Sequence, residues 1–223
     1  MSLPRRPHAV VFDMDGLIFD TERLYRDAMM GAAEHHGRDL PLSVFTSMIG
    51  GTGESSRRIL ADHFGPGFDL DTYMTRTWTH FHELAEADLA LKAGVGELLD
   101  LLDRHGTPRA IATSSHRDIV DHHLAAHDLA RRFDTVVAQG DYARGKPHPD
   151  PYLEAARRLG VAPEVCLALE DSHNGVRAAS SAGMMTIMVP DLLDPTEEMR
   201  TLCVRIAQDL HEVRELLISP GVG

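Results

Sequence analysis

From residue 94 onward, short apolar runs alternate with amphipathic stretches. "PRAIAT", "TVVA", "VCLALE" and "MMTIMV" are short, apolar and partly β-branched, the pattern of buried strands. Between them the period changes. Val95, Leu98, Leu99 and Leu102 recur at i, i+3, i+4 and i+7, one face of a helix. Asp150 and Pro151 read as an N-cap and a first-turn proline ahead of Tyr152, Ala155, Ala156 and Leu159, and Gly160 reads as the C-terminal stop. Strand, helix and strand in succession predict an α/β fold: a parallel sheet with helices on both faces.

The run "AVVF" belongs to the same pattern but is cut off from it. Residues 21–90 contain the helix-like segments "TERLYRDAMMGAAEHH", "ESSRRILADHF" and "DTYMTRTWTHFHELAEADLA" and no convincing strand. The expected organisation is a sheet core made of residues 1–19 and 91–223, with an all-helical insertion over residues 20–90. Placed after the first strand, such an insertion would sit over the sheet's edge as a lid that excludes water and recognises substrate.

Composition narrows the function classes. The chain has 223 residues, 43% hydrophobic and 25% charged, enough for one full core and a small second lobe. Its net charge of −12, with no basic block, argues against nucleic acid as a partner. No apolar run approaches the ~20 residues of a membrane span, and "MSLPRRPH" leads into a strand instead of a signal segment, so no membrane partner and a cytoplasmic location are expected. Cys166 and Cys203 lie far apart in apolar runs and read as buried reduced thiols. Among the fourteen histidines no metal-binding spacing appears; His35, His36, His122 and His123 read as solvated helix residues. Oligomeric state leaves no mark on the sequence.

Candidate chemistry lies in the residues just past each strand, because ligands of open parallel sheets bind beyond the carboxyl ends of the strands. After "VVF" come Asp13 and Asp15, after "RAIA" come Thr113, Ser114 and Ser115, beyond "TVVA" comes Lys146, and after "CLAL" come Glu170 and Asp171. Four carboxylates, loop hydroxyls and one ammonium suit phosphoryl transfer to a carboxylate. A hard divalent cation, Mg²⁺, would allow Asp13 and Asp171 to lie close and would screen a phosphate from the attacking oxygen. Asp13 is then the nucleophile and Asp15, two residues on, the general acid/base, with Gly16 letting the backbone turn away. The Thr113 hydroxyl and the Ser114 amide can hold phosphoryl oxygens, and Lys146 adds positive charge where the transition state needs it.

"FDMDGLIFDTERLY", "ATSS", "GKPHPD" and "LEDSHNGVRAASSAGMMTIMVPD" together resemble the four motifs of the haloacid dehalogenase (HAD) superfamily. The resemblance is to its phosphatase branch with a helical cap, near enzymes of the pseudouridine 5′-phosphatase and β-phosphoglucomutase kind. It implies a Rossmann-like parallel sheet core with an inserted all-helical cap. It also implies that the Asp15 backbone carbonyl binds Mg²⁺, that Asp171 is a metal ligand, and that Glu170 supports the metal through water. Thr113 and Lys146 would be phosphate binders. An aspartate at position 15 is what phosphohydrolases and phosphomutases of the superfamily carry, so the expected activity is Mg²⁺-dependent hydrolysis of a small phosphorylated metabolite, a sugar phosphate or nucleoside monophosphate, through an aspartyl phosphate.

A phosphomutase is the alternative. β-Phosphoglucomutase relatives carry an arginine that grips a second phosphate, and Gly53 of "IGGTGESSRR" stands at that position, with Arg57 or Arg58 as possible substitutes. A catalytically silent phosphometabolite-binding domain would have drifted in at least one motif, and none of Asp13, Asp15, Thr113, Lys146 or Asp171 is replaced. Within the cap, Glu22, Tyr25, the Gly50 to Gly53 turn with Gly51 at its centre, and Ser55 are best placed to meet a leaving group. His116, His148 and His173 read as solvated loop residues, and Lys92, at the return from cap to core, as a hinge or a substrate contact.

Overall fold

The computed structural model describes residues 3–49 and 53–219. Its strands are β1 (Ala9–Phe12), β2 (Arg109–Ala112), β3 (Thr135–Val137), β4 (Cys166–Glu170), β5 (Met185–Met188) and β6 (Arg205–Ile206). They form one parallel sheet in the order β3-β2-β1-β4-β5-β6. Every residue of β1, β2, β4 and β5 is buried. A parallel sheet covered on both faces must be nearly continuously apolar, and these segments lack polar alternation, with Arg109, Glu170 and Thr186 as their buried polar residues. β6 was not expected: two residues at the sheet edge are too short to carry a period.

The insertion between β1 and β2 holds α1 (Thr21–His35), α2 (Leu42–Met48), α3 (Gly53–Phe64) and α4 (Leu70–Asp88). Around the sheet lie α5 (Val95–His105), α6 (Arg117–Ala126), α7 (Asp150–Leu159), α8 (His173–Ser181), α9 (Glu197–Leu202) and α10 (Leu210–Ile218). Val95, Leu98, Leu99 and Leu102 are buried along α5, each large side chain contributing about 1.5–3 kcal/mol. On one face of the sheet Ala9, Val11, Ala110, Ala112 and Ala168 meet Tyr152, Ala155 and Ala156 of α7 and Ala178 and Ala179 of α8 in a single core. Alanines at the crossing let both helices approach closely and wrap the large Tyr152 ring.

Local expectations needed three corrections. Asp150 is not the cap of α7: Pro149 holds that position, and the Asp150 carboxylate instead accepts from the Arg144 backbone N–H at 3.2 Å and its guanidinium at 2.9 Å. His123 is buried in α6 with its ring 5.5 Å from that of Phe19, and His36 is partly covered by Phe68, so neither is a solvated histidine; His35 and His122 are exposed. Cys166 is buried, Cys203 half-buried, and both are free thiols pushed up to about 11 by burial.

The chain divides into two compact units, Met1–Phe19 with Leu91–Gly223, and Asp20–Ala90. In the second unit Met29, Ala32, Ala33, Phe45, Leu60 and Tyr73 fill the core. The Tyr73 hydroxyl donates to the Met29 carbonyl at 3.0 Å, and Asp69 caps α4 by accepting from the Thr72 N–H at 3.0 Å. Helix α2 was missed, because only Phe45 and Met48 of its residues are buried, too few to define a face. No described helix is long and apolar enough to cross a membrane.

Candidate active site

Register brings the polar residues together. Phe12 pairs with Leu169 of β4 and with Ile111 of β2, so Asp13 emerges level with Glu170 and one step short of Thr113. The Asp13 N–H continues the ladder onto the Leu169 carbonyl at 2.9 Å. Strand order reverses between β1 and β4, the position where open α/β sheets leave a crevice.

Asp13 is 6% exposed, and the Lys146 ammonium donates to its Oδ1. The same ammonium donates to Glu170 Oε1 at 2.5 Å and lies 5.2 Å from the centre of the Tyr152 ring. Glu170 is fully buried and fully engaged. Its Oε1 also accepts from the Tyr152 hydroxyl at 2.5 Å, and its Oε2 accepts from the Ser172 N–H at 3.2 Å and hydroxyl at 3.1 Å. A Cβ at Gly175 would overlap this carboxylate, so the first turn of α8 reaches Glu170 only with glycine there.

Burial pushes the Asp13 carboxyl up to about 8, against the pull of Lys146 and with the help of Glu170 and Asp15. Burial also works against the Lys146 ammonium, but Asp13 and Glu170 outweigh it and the group is held charged above its usual range. The Tyr152 hydroxyl is pushed well above its usual value by burial and then by Glu170 and Asp13. Tyr152 therefore acts as a neutral donor.

Asp15 points elsewhere. Its Oδ2 accepts from the Ser115 hydroxyl at 2.7 Å and, more weakly, from the Thr113 hydroxyl at 3.4 Å. The turn after β2 is braced by the Ser115 N–H on Thr113 Oγ1 at 3.0 Å and by the Tyr142 hydroxyl on the Thr113 carbonyl at 3.1 Å. Ser114 is exposed on that turn. The sequence places Ser115 on this edge with Thr113 and Ser114 but gives it no role, and it gives Tyr142 and Tyr152 no place in the site, because tyrosines in a loop and on an apolar helix face carry no signal of their own.

Oxygens of Asp13, Glu170 and Asp171 lie within 4.8 Å of one another, all three residues buried. Buried carboxylates so close repel unless a cation or proton compensates, and one lysine does not neutralise three of them. Gly16, at φ +81°, forms a cradle for this group: a Cβ there would overlap Asp171 Oδ2. An all-oxygen, buried, anionic donor set with that cradle fits a hard divalent cation such as Mg²⁺. Beside it, Asp191 Oδ1 pairs with Lys92 Nζ at 2.7 Å, while Asp191 Oδ2 is buried with no hydrogen-bond partner.

In the helical unit, Glu22 and Tyr25 line a cavity of about 300 Å³ together with Met48, Ser56, Arg57 and Met74. Ser55 is not among its lining residues, whereas the next two residues of α3 are; Gly51 lies outside the described residues. Gly53 is the first residue of α3, Arg57 pairs with Asp71, and Arg58 is 3.5 Å from Glu54. Burial, then Glu22, raises the Tyr25 hydroxyl above its usual range. His116 is exposed ahead of α6, His148 is exposed in its loop, and His173 Nε2 lies 2.9 Å from the Asp194 carbonyl.

Comparison with known proteins bears on the family and the fold. The sequence model of haloacid dehalogenase-like hydrolases matches residues 10–189. The "probable pseudouridine-5'-phosphatase" of Drosophila melanogaster is 37% identical over 187 residues, covering 81% of this chain and 80% of that protein. The "phosphorylated carbohydrates phosphatase" of Thermotoga maritima is 32% identical over 179 residues, 80% of this chain and 83% of that one. The crystal structure of a Thermotoga maritima protein provisionally named β-phosphoglucomutase superposes with a TM-score of 0.79 at 29% identity, over 94% of this chain and 99% of that one. With the strand order, the carboxylates at the strand ends and a match spanning most of its length, the chain belongs to the haloacid dehalogenase-like hydrolase family.

Proposed function

We propose that this enzyme is a Mg²⁺-dependent phosphomonoester hydrolase that works through an aspartyl phosphate on Asp13. The observation that carries the reading is the division of labour between two aspartates on one turn: Asp13 sits with Lys146, Glu170 and Asp171, while Asp15 is held apart by the Ser115 and Thr113 hydroxyls.

Asp13, Asp171 and the Asp15 backbone carbonyl would hold the cation, with Glu170 behind them. When bound, it neutralises the carboxylates and draws charge from the transferring phosphoryl group. Burial keeps water from competing at Asp13. Lys146, fixed by two carboxylates, is placed to stabilise charge on the phosphoryl oxygens, an effect worth about 10²–10³ in rate for comparable donors. The Thr113 hydroxyl and Ser114 amide supply further donors. In the first step an Asp13 carboxylate oxygen bonds to phosphorus, the ester P–O bond breaks, and Asp15 gives its proton to the departing alcohol oxygen. In the second, Asp15 takes a proton from water as that water attacks phosphorus; the acyl phosphate bond breaks, releasing inorganic phosphate and restoring Asp13.

The helical unit serves as the cap, and its cavity takes the alcohol portion of the substrate. About 300 Å³ with Glu22, Tyr25, Ser56 and Arg57 among its lining suits a sugar or nucleoside. Relatives named for pseudouridine phosphate and phosphorylated carbohydrates support that class. A phosphomutase reading rests on Arg57, which lines this cavity; its guanidinium already pairs with Asp71, and Gly53 offers no charge, so hydrolysis is preferred. Phosphate release from a panel of sugar phosphates and nucleoside monophosphates, with Mg²⁺ and with chelator, tests the proposal. Metal-dependent release that Asp13→Asn abolishes supports it. Interconversion of β-glucose 1-phosphate and glucose 6-phosphate with glucose 1,6-bisphosphate, without net phosphate release, would replace it with the mutase.

A further inference from the structure

Asp191 follows β5 on the same edge of the sheet as the carboxylates, and neither its spacing nor its neighbours in the sequence give it a role. Its Oδ1 is fixed by Lys92, the second residue after the insertion, whose own backbone N–H is anchored on the Ile18 carbonyl at 2.9 Å. Its Oδ2 is buried and accepts no hydrogen bond. A Cβ built on Gly16 would lie 3.5 Å from that oxygen, and the same Cβ would overlap Asp171 Oδ2. Gly16 is thus flanked by two carboxylate oxygens from different strand ends.

A buried carboxylate oxygen without a donor is costly, and a second carboxylate nearby raises the cost. Lys92 compensates one end of Asp191 only. Asp191 is also absent from the Asp13, Glu170 and Asp171 group whose oxygens lie within 4.8 Å of one another, so it stands just outside the direct ligand set. We propose that Asp191 is a positioning residue of the divalent-cation site: held in one orientation by Lys92, it presents an oxygen without a hydrogen-bond donor beside Asp171 and strengthens cation binding without ligating the ion. This rests on the cation site proposed above.

The test is Mg²⁺ and Mn²⁺ binding by titration calorimetry on Asp191→Asn, with Asp171→Asn and the unaltered chain in parallel, and thermal unfolding of each protein without metal. Asparagine keeps the shape and an acceptor for Lys92 while removing the charge. Cation affinity should fall roughly tenfold, as for other residues that support a ligand set from outside. Metal-free Asp191→Asn should still fold cooperatively and melt close to the unaltered chain, because the amide oxygen still accepts from Lys92 and only the charge of that pair is lost. Asp191→Ser, which also removes the charge, should weaken binding in the same direction. Unchanged affinity in Asp191→Asn, with binding lost in Asp171→Asn, overturns the role of Asp191 alone. Full binding in Asp171→Asn overturns the cation site itself. A drop in metal-free melting temperature with no change in affinity would make the Lys92–Asp191 pair a structural tie only.

Discussion

Gly16→Ala separates backbone cost from site geometry. Gly16 adopts φ +81°, where a side chain costs roughly 1–2 kcal/mol. For a chain of this size that corresponds to a fall in melting temperature of about 2–8 °C. The added Cβ would also overlap Asp171 Oδ2 and sit 3.0 Å from its Cγ, so the carboxylate must shift by about an ångström. Misplacement on that scale can cost about 10²-fold in rate. Gly106→Ala supplies the control: Gly106 has φ +58° with nothing within 4 Å of its Cβ position, so it carries the backbone cost alone. The assays are thermal unfolding of the metal-free proteins, Mg²⁺ affinity, and kcat on the best substrate from the panel. Both variants should lose stability to a similar degree, and only Gly16→Ala should lose cation affinity and turnover. Equal kcat and Mg²⁺ affinity in the two variants, within about twofold, would refute the argument that Gly16 is a cradle for Asp171.

Tyr152→Phe removes a donor from the buried Glu170 carboxylate while leaving Lys146 in place, so calorimetry or urea unfolding should show a loss of about 1.5–3 kcal/mol; a change below half a kilocalorie per mole would mean that Glu170 is satisfied without it. In the metal-free chain, Asp13 titrates near 8 in the folded state against an ordinary 3.8. Between those values the folded chain holds a proton that the unfolded chain has released, so its contribution to the unfolding free energy declines as pH rises through that window, and Asp13→Asn should remove that component of the slope. Identical pH profiles of stability in the two proteins would count against it. Ser56→Trp should crowd the cavity of the helical unit and reduce kcat/KM for sugar and nucleoside phosphates more than for acetyl phosphate; an equal reduction for all three would argue that the cavity does not receive the alcohol portion.

Much of this arrangement could be read from the chain because its rules are local. β1, β2 and β4 are mostly apolar runs of four or five residues that end at or just before a polar residue, and a parallel sheet requires their ends to converge. That places Asp13, Thr113 and Glu170 with Asp171 on one edge whatever their separation in sequence. Features set by tertiary packing could not be read in this way. Tyr152 has the spacing of an ordinary core residue, and only the depth of α7 against the sheet turns its hydroxyl onto Glu170. Ser115 competes with two similar-looking neighbours until the turn after β2 aims it at Asp15. β6, with two residues, has no period, and Asp191 gains meaning only from the glycine it lies beside. In the helical unit, Ser55 rather than Ser56 was the sequence choice, because helix phase cannot be fixed to one residue without knowing where α3 begins.

The central claim is that the Asp13 oxygen becomes covalently phosphorylated. Rapid acid quench during turnover, with peptide mass mapping of the quenched protein, measures this directly. A phosphoryl group on the peptide carrying Asp13, formed and discharged at rates compatible with kcat and absent in Asp13→Asn, is the predicted result. Steady hydrolysis with no modified peptide at any quench time, or undiminished turnover by Asp13→Asn, would contradict it.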